Sequence, residues 1–185
     1  MNRVTLEVLS VLFIATGVRA AFGFGDALIA VPLLALFMPL TAAVPLSVLV
    51  SITIASLVLF QDWRHIQVRG AASLLVATIF GIPIGLFLLT HAPQAAVKAA
   101  LGSLIIAFAA YSIRSHHARL SNDRWAWPFG FVAGVLGGAY AMNGPPVAIY
   151  GSLRRWSPSQ FRATLQGYFL PASLVAMYGY WAAGL

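Results

Sequence analysis

An aspartate, Asp26, stands inside a long apolar run, just after Gly23-Phe24-Gly25 and ahead of Val31-Pro32. A carboxylate at membrane depth is costly, so by default it faces a cavity, a partner or a substrate path. Gly23 and Gly25 let the backbone leave a helix, and Pro32 removes a donor further on. Arg19 lies about one turn before the glycines. A second stretch has the same character: Gly137-Gly138, then Asn143-Gly144-Pro145-Pro146. Broken backbone is tolerated in a bilayer where protein or water covers it. Both stretches therefore read as discontinuous helices, each break lying beside a polar site.

The elements that must position these residues follow from composition. Of 185 residues, 61% are hydrophobic and 8% are charged. That apolar content implies an all-α, polytopic helical membrane protein, and the continuous runs do not alternate as barrel strands do. The formal charge of +7 resides mainly in short gaps between apolar runs, where basic residues set orientation. Neither nucleic acid nor phosphate binding is expected. The absence of cysteine excludes disulfides, thiolate metal sites and cysteine nucleophiles. No small-residue cleavage site follows the first apolar run, so it reads as a retained segment.

The first apolar region, Val4 to Met38, has 35 residues. As one straight helix it would be about 52 Å long, against a hydrocarbon core of about 30 Å, so it must break, and the glycines are where it can. Spans are expected over Ala42–Phe60, Gly70–Thr90, Ala95–Ile113 and about Phe161–Trp181, with a second broken region from Trp127 to Tyr150. Gly81-Ile82-Pro83-Ile84-Gly85 reads first as a packing kink that admits a close neighbour, and second as a hinge.

A shift of 117 residues places Gly17-Val18 on Gly134-Val135 and Ala55-Ser56-Leu57-Val58 on Ala172-Ser173-Leu174-Val175. It also sets Asp26 opposite Asn143. The expected organisation is a first repeat over about 4–113, a basic loop at 114–124, and a second repeat over about 125–185 that lacks its last hairpin. Basic loops at 61–69 and 114–124 place those segments in the cytoplasm, with the turns at Pro39 and His91 outside. Arg154-Arg155 then lies inside if each broken region starts and ends on one side. The repeats are thereby inverted, with broken helices meeting near the midplane, which is a transporter plan. Arg3 and Arg19 are not accounted for by this topology. The missing hairpin leaves a second expectation open: a truncated chain, or a subunit dependent on assembly and without independent transport.

The sequence resembles the TauE/SafE family of sulfite exporters, also called the toluenesulfonate uptake permease family. The resemblance is carried by Gly23-Phe24-Gly25-Asp26 with Val31-Pro32-Leu33-Leu34, by Asp62-Trp63-Arg64, and by Gly81-Ile82-Pro83-Ile84-Gly85. It continues in Gly137-Gly138, Asn143-Gly144-Pro145-Pro146, Tyr150 and Phe161-Arg162-Ala163. It implies a secondary transporter, an exporter, of small anions such as sulfite, organosulfonates or related carboxylates across the cytoplasmic membrane. The first glycine cluster departs from the family, with Phe24 and Asp26 where members often carry more glycine.

An anion in a low-dielectric cavity needs donors, and helix ends at the two breaks offer free N–H groups and a positive dipole end. The candidate substrate-binding residues are Arg19, Gly23, Gly25, Asp26, Asn143, Gly144, Pro145, Pro146 and Tyr150. Pro145 and Pro146 suit the first turn of a half-helix, and Asn143 adds side-chain donors. Asp26 has two roles open to it: N-cap of the following half-helix, or a proton-exchanging group that couples transport. Arg19 could pair with Asp26, meet the anion, or snorkel to an interface. Tyr140 and Tyr150 could donate to substrate or serve in packing. Arg162 reads as a cytoplasmic anchor, and His65, His116 and His117 as solvated loop residues. With four acids in all and no nucleophile–base pair, zinc motif or P-loop, the chain does not read as an enzyme. No cofactor or metal is expected. The expected partners are lipid, a small anion and, through Asp26, a proton, and a homo-oligomer is left open.

Overall fold

The computed structural model describes residues 3–62, 68–113, 120 and 122–185. His65, His116 and His117 lie outside the described residues, as do Trp63 and Arg64. Among the described residues the regular elements are helices: α1 Arg3–Phe22, α2 Asp26–Leu34, α3 Leu40–Asp62, α4 Val68–His91, α5 Gln94–Ile113, α6 Ala126–Tyr140, α7 Gly144–Leu153 and α8 Pro158–Ala182. Four of them are long and apolar enough to cross a membrane over Thr5–Phe22, Leu40–Phe60, Ala71–His91 and Gln94–Ile113. The chain is therefore an all-helical protein of the polytopic membrane kind.

The first long apolar region breaks at the glycines. Gly23, at φ +82°, closes α1 with its N–H on the Arg19 carbonyl at 2.7 Å, and Gly25, at φ +101°, opens α2. Side chains seldom adopt that backbone, so glycine is needed at both positions. The half-helix α2 then folds back along α1: Ala15 of α1 shares an apolar cluster with Ala30 and Leu34 of α2 and Ala43 of α3. The second break is built alike. Ala141, at φ +56°, ends α6, Asn143 precedes α7, and α7 folds back so that Tyr150 meets Phe129 of α6 with ring centroids 5.8 Å apart. The order of long helix, break, half-helix, turn and long helix thus occurs in 3–62 and again in 126–182.

Two features hold these halves together. The first is a glycine seam between α4 and α6. A Cβ at Gly134 would come within 2.9 Å of the Cα atoms of Thr78 and Gly81, and one at Gly81 or Gly85 would overlap the backbone of α6. The Gly81–Gly85 motif is thus a close-approach surface, and α4 runs through Pro83 as one helix. The second is α8, which belongs to the interior. Tyr168, Tyr180 and Leu165 are fully buried on it. An interior helix need not be apolar towards lipid, which explains why α8, at 25 residues, is absent from the apolar four. Tyr180 on it supplies a donor to carbonyls in the last turn of α6. Tyr180 Oη donates to the Gly137 and Gly138 carbonyls at 2.8 and 3.0 Å, at the end of α6. At the end of α2, Lys98 Nζ donates to the Ala35 carbonyl at 2.7 Å, a cation at a helix C-terminus.

Candidate functional site

Arg19, in the last turn of α1, is 2% exposed and sits in the protein interior, which excludes the snorkelling role. Its Nη1 donates to Asp26 Oδ2 at 2.7 Å and to Ser51 Oγ of α3. Its Nη2 donates to Gln166 Oε1 of α8 at 2.7 Å. Gln166 Nε2 in turn donates to the Gly23 carbonyl at 2.8 Å, so the amide clamps both the guanidinium and the break. The guanidinium carbon lies 5.0 Å from the centroid of the Phe169 ring, within cation–π range. Arg19 Nε is buried with no hydrogen-bond partner among the described residues. A buried guanidinium with an unused N–H is an uncommon arrangement that asks for a ligand or a water.

Asp26 is not the N-cap of α2. Gly25 holds that position, and no side-chain cap bond is made. The carboxylate instead follows the cap as the first helical residue, where the positive end of α2 favours it, and it is committed to Arg19. Local geometry explains the correction: with Gly25 left-handed, the backbone turns before Asp26 rather than at it.

The two breaks face one another across a small cavity. Arg19, Gly25, Asp26 and Ser51 line it from the first half, and Asn143, Gly144, Pro145 and Phe169 from the second. Its volume is about 10 Å³, room for about one water. Asn143 is the N-cap of α7 and makes no side-chain cap bond, while prolines occupy the first positions of the helix, where the missing donors cost nothing. Both half-helices thus present N-terminal ends to the same space, one beside an ion pair and one beside a neutral amide.

Not every candidate residue reaches the cavity. Gly23 takes part through its carbonyl. Pro146 turns to an apolar cavity beside α5 instead, one that Pro145 also borders. Tyr150 is fully buried away from the site, between Phe129 and Trp156, and Tyr140 donates to the Val97 carbonyl at 3.0 Å. Ser51, Gln166 and Phe169 were passed over in the sequence. The amide of Gln166 inside the final span was the available signal, since a polar group at that depth needs a partner.

The family model of Sulfite exporter TauE/SafE matches residues 8–185. No curated protein and no solved structure matches the sequence. The match takes in both breaks, the glycine seam and the whole of α8, and it agrees with four apolar helices. The chain belongs to the TauE/SafE sulfite exporter family, a family of membrane transporters rather than enzymes.

Proposed function

We propose that this protein is a secondary transporter of a small oxyanion, such as sulfite, an organosulfonate or a related carboxylate, across the cytoplasmic membrane. The anion binds between the N-termini of α2 and α7. The observation that carries this reading is Arg19: buried, held by Asp26, Ser51 and Gln166, bordering the cavity between the breaks, and left with an unpartnered Nε. In this reading the two halves are inverted repeats, and the cavity lies near the midplane.

Asp26 supplies the coupling. With Asp26 ionised, Arg19 is already neutralised and an incoming anion meets no net positive charge. A proton on Asp26 removes that competitor, and the guanidinium becomes available to the anion. In this reading a proton travels with the anion. Asp26→Asn removes the competing charge, so it should bind anion more tightly than the parent chain.

The test is thermal unfolding of the purified protein in detergent with sulfite, sulfate, sulfonates and small carboxylates. Saturation at a hundred times Kd corresponds to about 2.7 kcal/mol of added stability. Selective stabilisation by one anion, lost in Asn143→Ala, is the expected result. A flat response from folded protein would instead favour the assembly-dependent subunit. That second reading draws on α1, whose apolar span is largely unburied and whose Gly17 meets no neighbour within 4 Å.

A further inference from the structure

The cavity between the breaks has room for about one water, so an anion needs a way in, and a larger space lies nearby. A cavity of about 330 Å³ runs along α7 beside the end of α5, bordered by Tyr111, Ser112, Ser152 and Leu153. Its lining also includes Phe24 and Phe161. Beyond Phe161, a second recess is bordered by Ser159 and Arg162. Near the outer end of the first, the Arg154 guanidinium donates to the Leu120 carbonyl at 3.1 Å.

Phe24 lies between the 330 Å³ cavity and Gly144 of the small one. Phe24 packs edge-on against Phe161, with centroids 6.3 Å apart. Its ring also covers Gly144: a Cβ built there would lie 3.4 Å from Phe24 Cδ2. Gly144 borders the closed cavity, so Phe24 touches the larger space on one side and the wall of the site on the other. Its backbone is suited to movement. Phe24 belongs to no helix and is flanked by Gly23 at φ +82° and Gly25 at φ +101°. Small changes at two such residues can swing a side chain without disturbing a helix, and hinges are built this way.

We propose that Phe24 is the gate of the site: its ring seals Arg19 and Asp26 from the cavity along α7, and its displacement about Gly23 and Gly25 admits the substrate. The bare Cα of Gly144 gives the ring its seat. The proposal rests on the anion-site reading for what passes through, but the barrier itself can be measured without any transported anion.

The chain has no native cysteine, so Ala27→Cys, on the closed cavity, and Ser152→Cys, on the larger one, serve as single reporters. Each is treated with a small anionic, membrane-impermeant methanethiosulfonate in vesicles, from one face and then from the other. With Phe24 intact, Ala27→Cys should react slowly and Ser152→Cys quickly from the same face. Phe24→Ala should speed Ala27→Cys at least tenfold and leave Ser152→Cys unchanged. Phe24→Leu should fall between them, and it carries the test if the alanine variant fails to fold. Equal rates for Ala27→Cys across Phe24, Leu and Ala would overturn the gate. Acceleration without protection by sulfate or an unreactive organosulfonate would uphold the gate and overturn the anion reading.

Discussion

The breaks at Gly23–Gly25 and at Ala141–Asn143 build one site from unlike parts. Each ends a long helix and starts a half-helix of nine or ten residues that folds back on it. The first break brings charge, Arg19 and Asp26, and needs two left-handed glycines. The second brings a neutral amide and two prolines, and its cap residue has an ordinary φ of −76°. Breaks of like order therefore need not share chemistry: the first holds the ion pair and the second an uncharged helix end. An anion placed between them gains a second dipole without facing a second carboxylate.

The largest expected difference between the halves lies away from the site. Gly17 and Gly134 occupy matching positions under the 117-residue shift. A methyl group at Gly134 would collide with the backbone of α4, while at Gly17 it would meet nothing within 4 Å. Gly134→Ala should lower stability by about 3 kcal/mol or more, at the top of the overpacking range, because backbone rather than a side chain must yield. Gly17→Ala should be neutral, or stabilise by about 0.5–1 kcal/mol through helix propensity. Thermal unfolding in detergent reads both, and equal loss in the two variants would mean that α1 is as closely packed as α6.

The ion pair is of comparable size. Removing one partner of a buried pair costs about 3–5 kcal/mol, because the other charge is left uncompensated. Arg19→Ala should therefore lose stability of that order, with the Asp26 carboxylate left buried beside no cation. The double variant Arg19→Met/Asp26→Asn should recover much of the lost stability while abolishing anion stabilisation. If the double variant is as unstable as the sum of the single ones, the two side chains are not a pair in the sense described here.

Much of this plan was legible in the residues. Glycine and proline mark breaks because their backbone limits are local, so both half-helices fall where the sequence put them. Gly81 and Gly85 announced a close neighbour for the same reason, although nothing local could name α6 as that neighbour. Asp26 was harder: glycine and aspartate are both accepted caps, and adjacent residues compete for the role until the backbone angle decides it. The partners of Arg19 were half legible. Asp26 is seven residues away across a visible break, but Gln166 is separated by 147 residues and meets the guanidinium only through tertiary packing. Tyr150 was open to substrate or to packing, and packing decides it, since α7 folds back and buries that face against α6.

The smallest effect separates the two caps themselves. Gly25→Ala forces a side chain into φ +101° and should cost roughly 1–2 kcal/mol. Asn143→Ala changes a residue whose backbone already suits alanine and whose side chain makes no cap bond, so stability should move by less than about 0.5 kcal/mol. The functional consequences run the other way. Gly25→Ala leaves Arg19 and the neutral cap chemically intact, so anion binding, measured as stabilisation relative to each variant's own baseline, should persist. Asn143→Ala removes side-chain donors from the second break, so the baseline should hold and the anion-dependent increment should fall. A break whose backbone demands glycine and a break whose side chain binds would then be distinguished by two single substitutions. Loss of the anion increment in Gly25→Ala, with Asn143→Ala unaffected, would move the binding role wholly to the charged half.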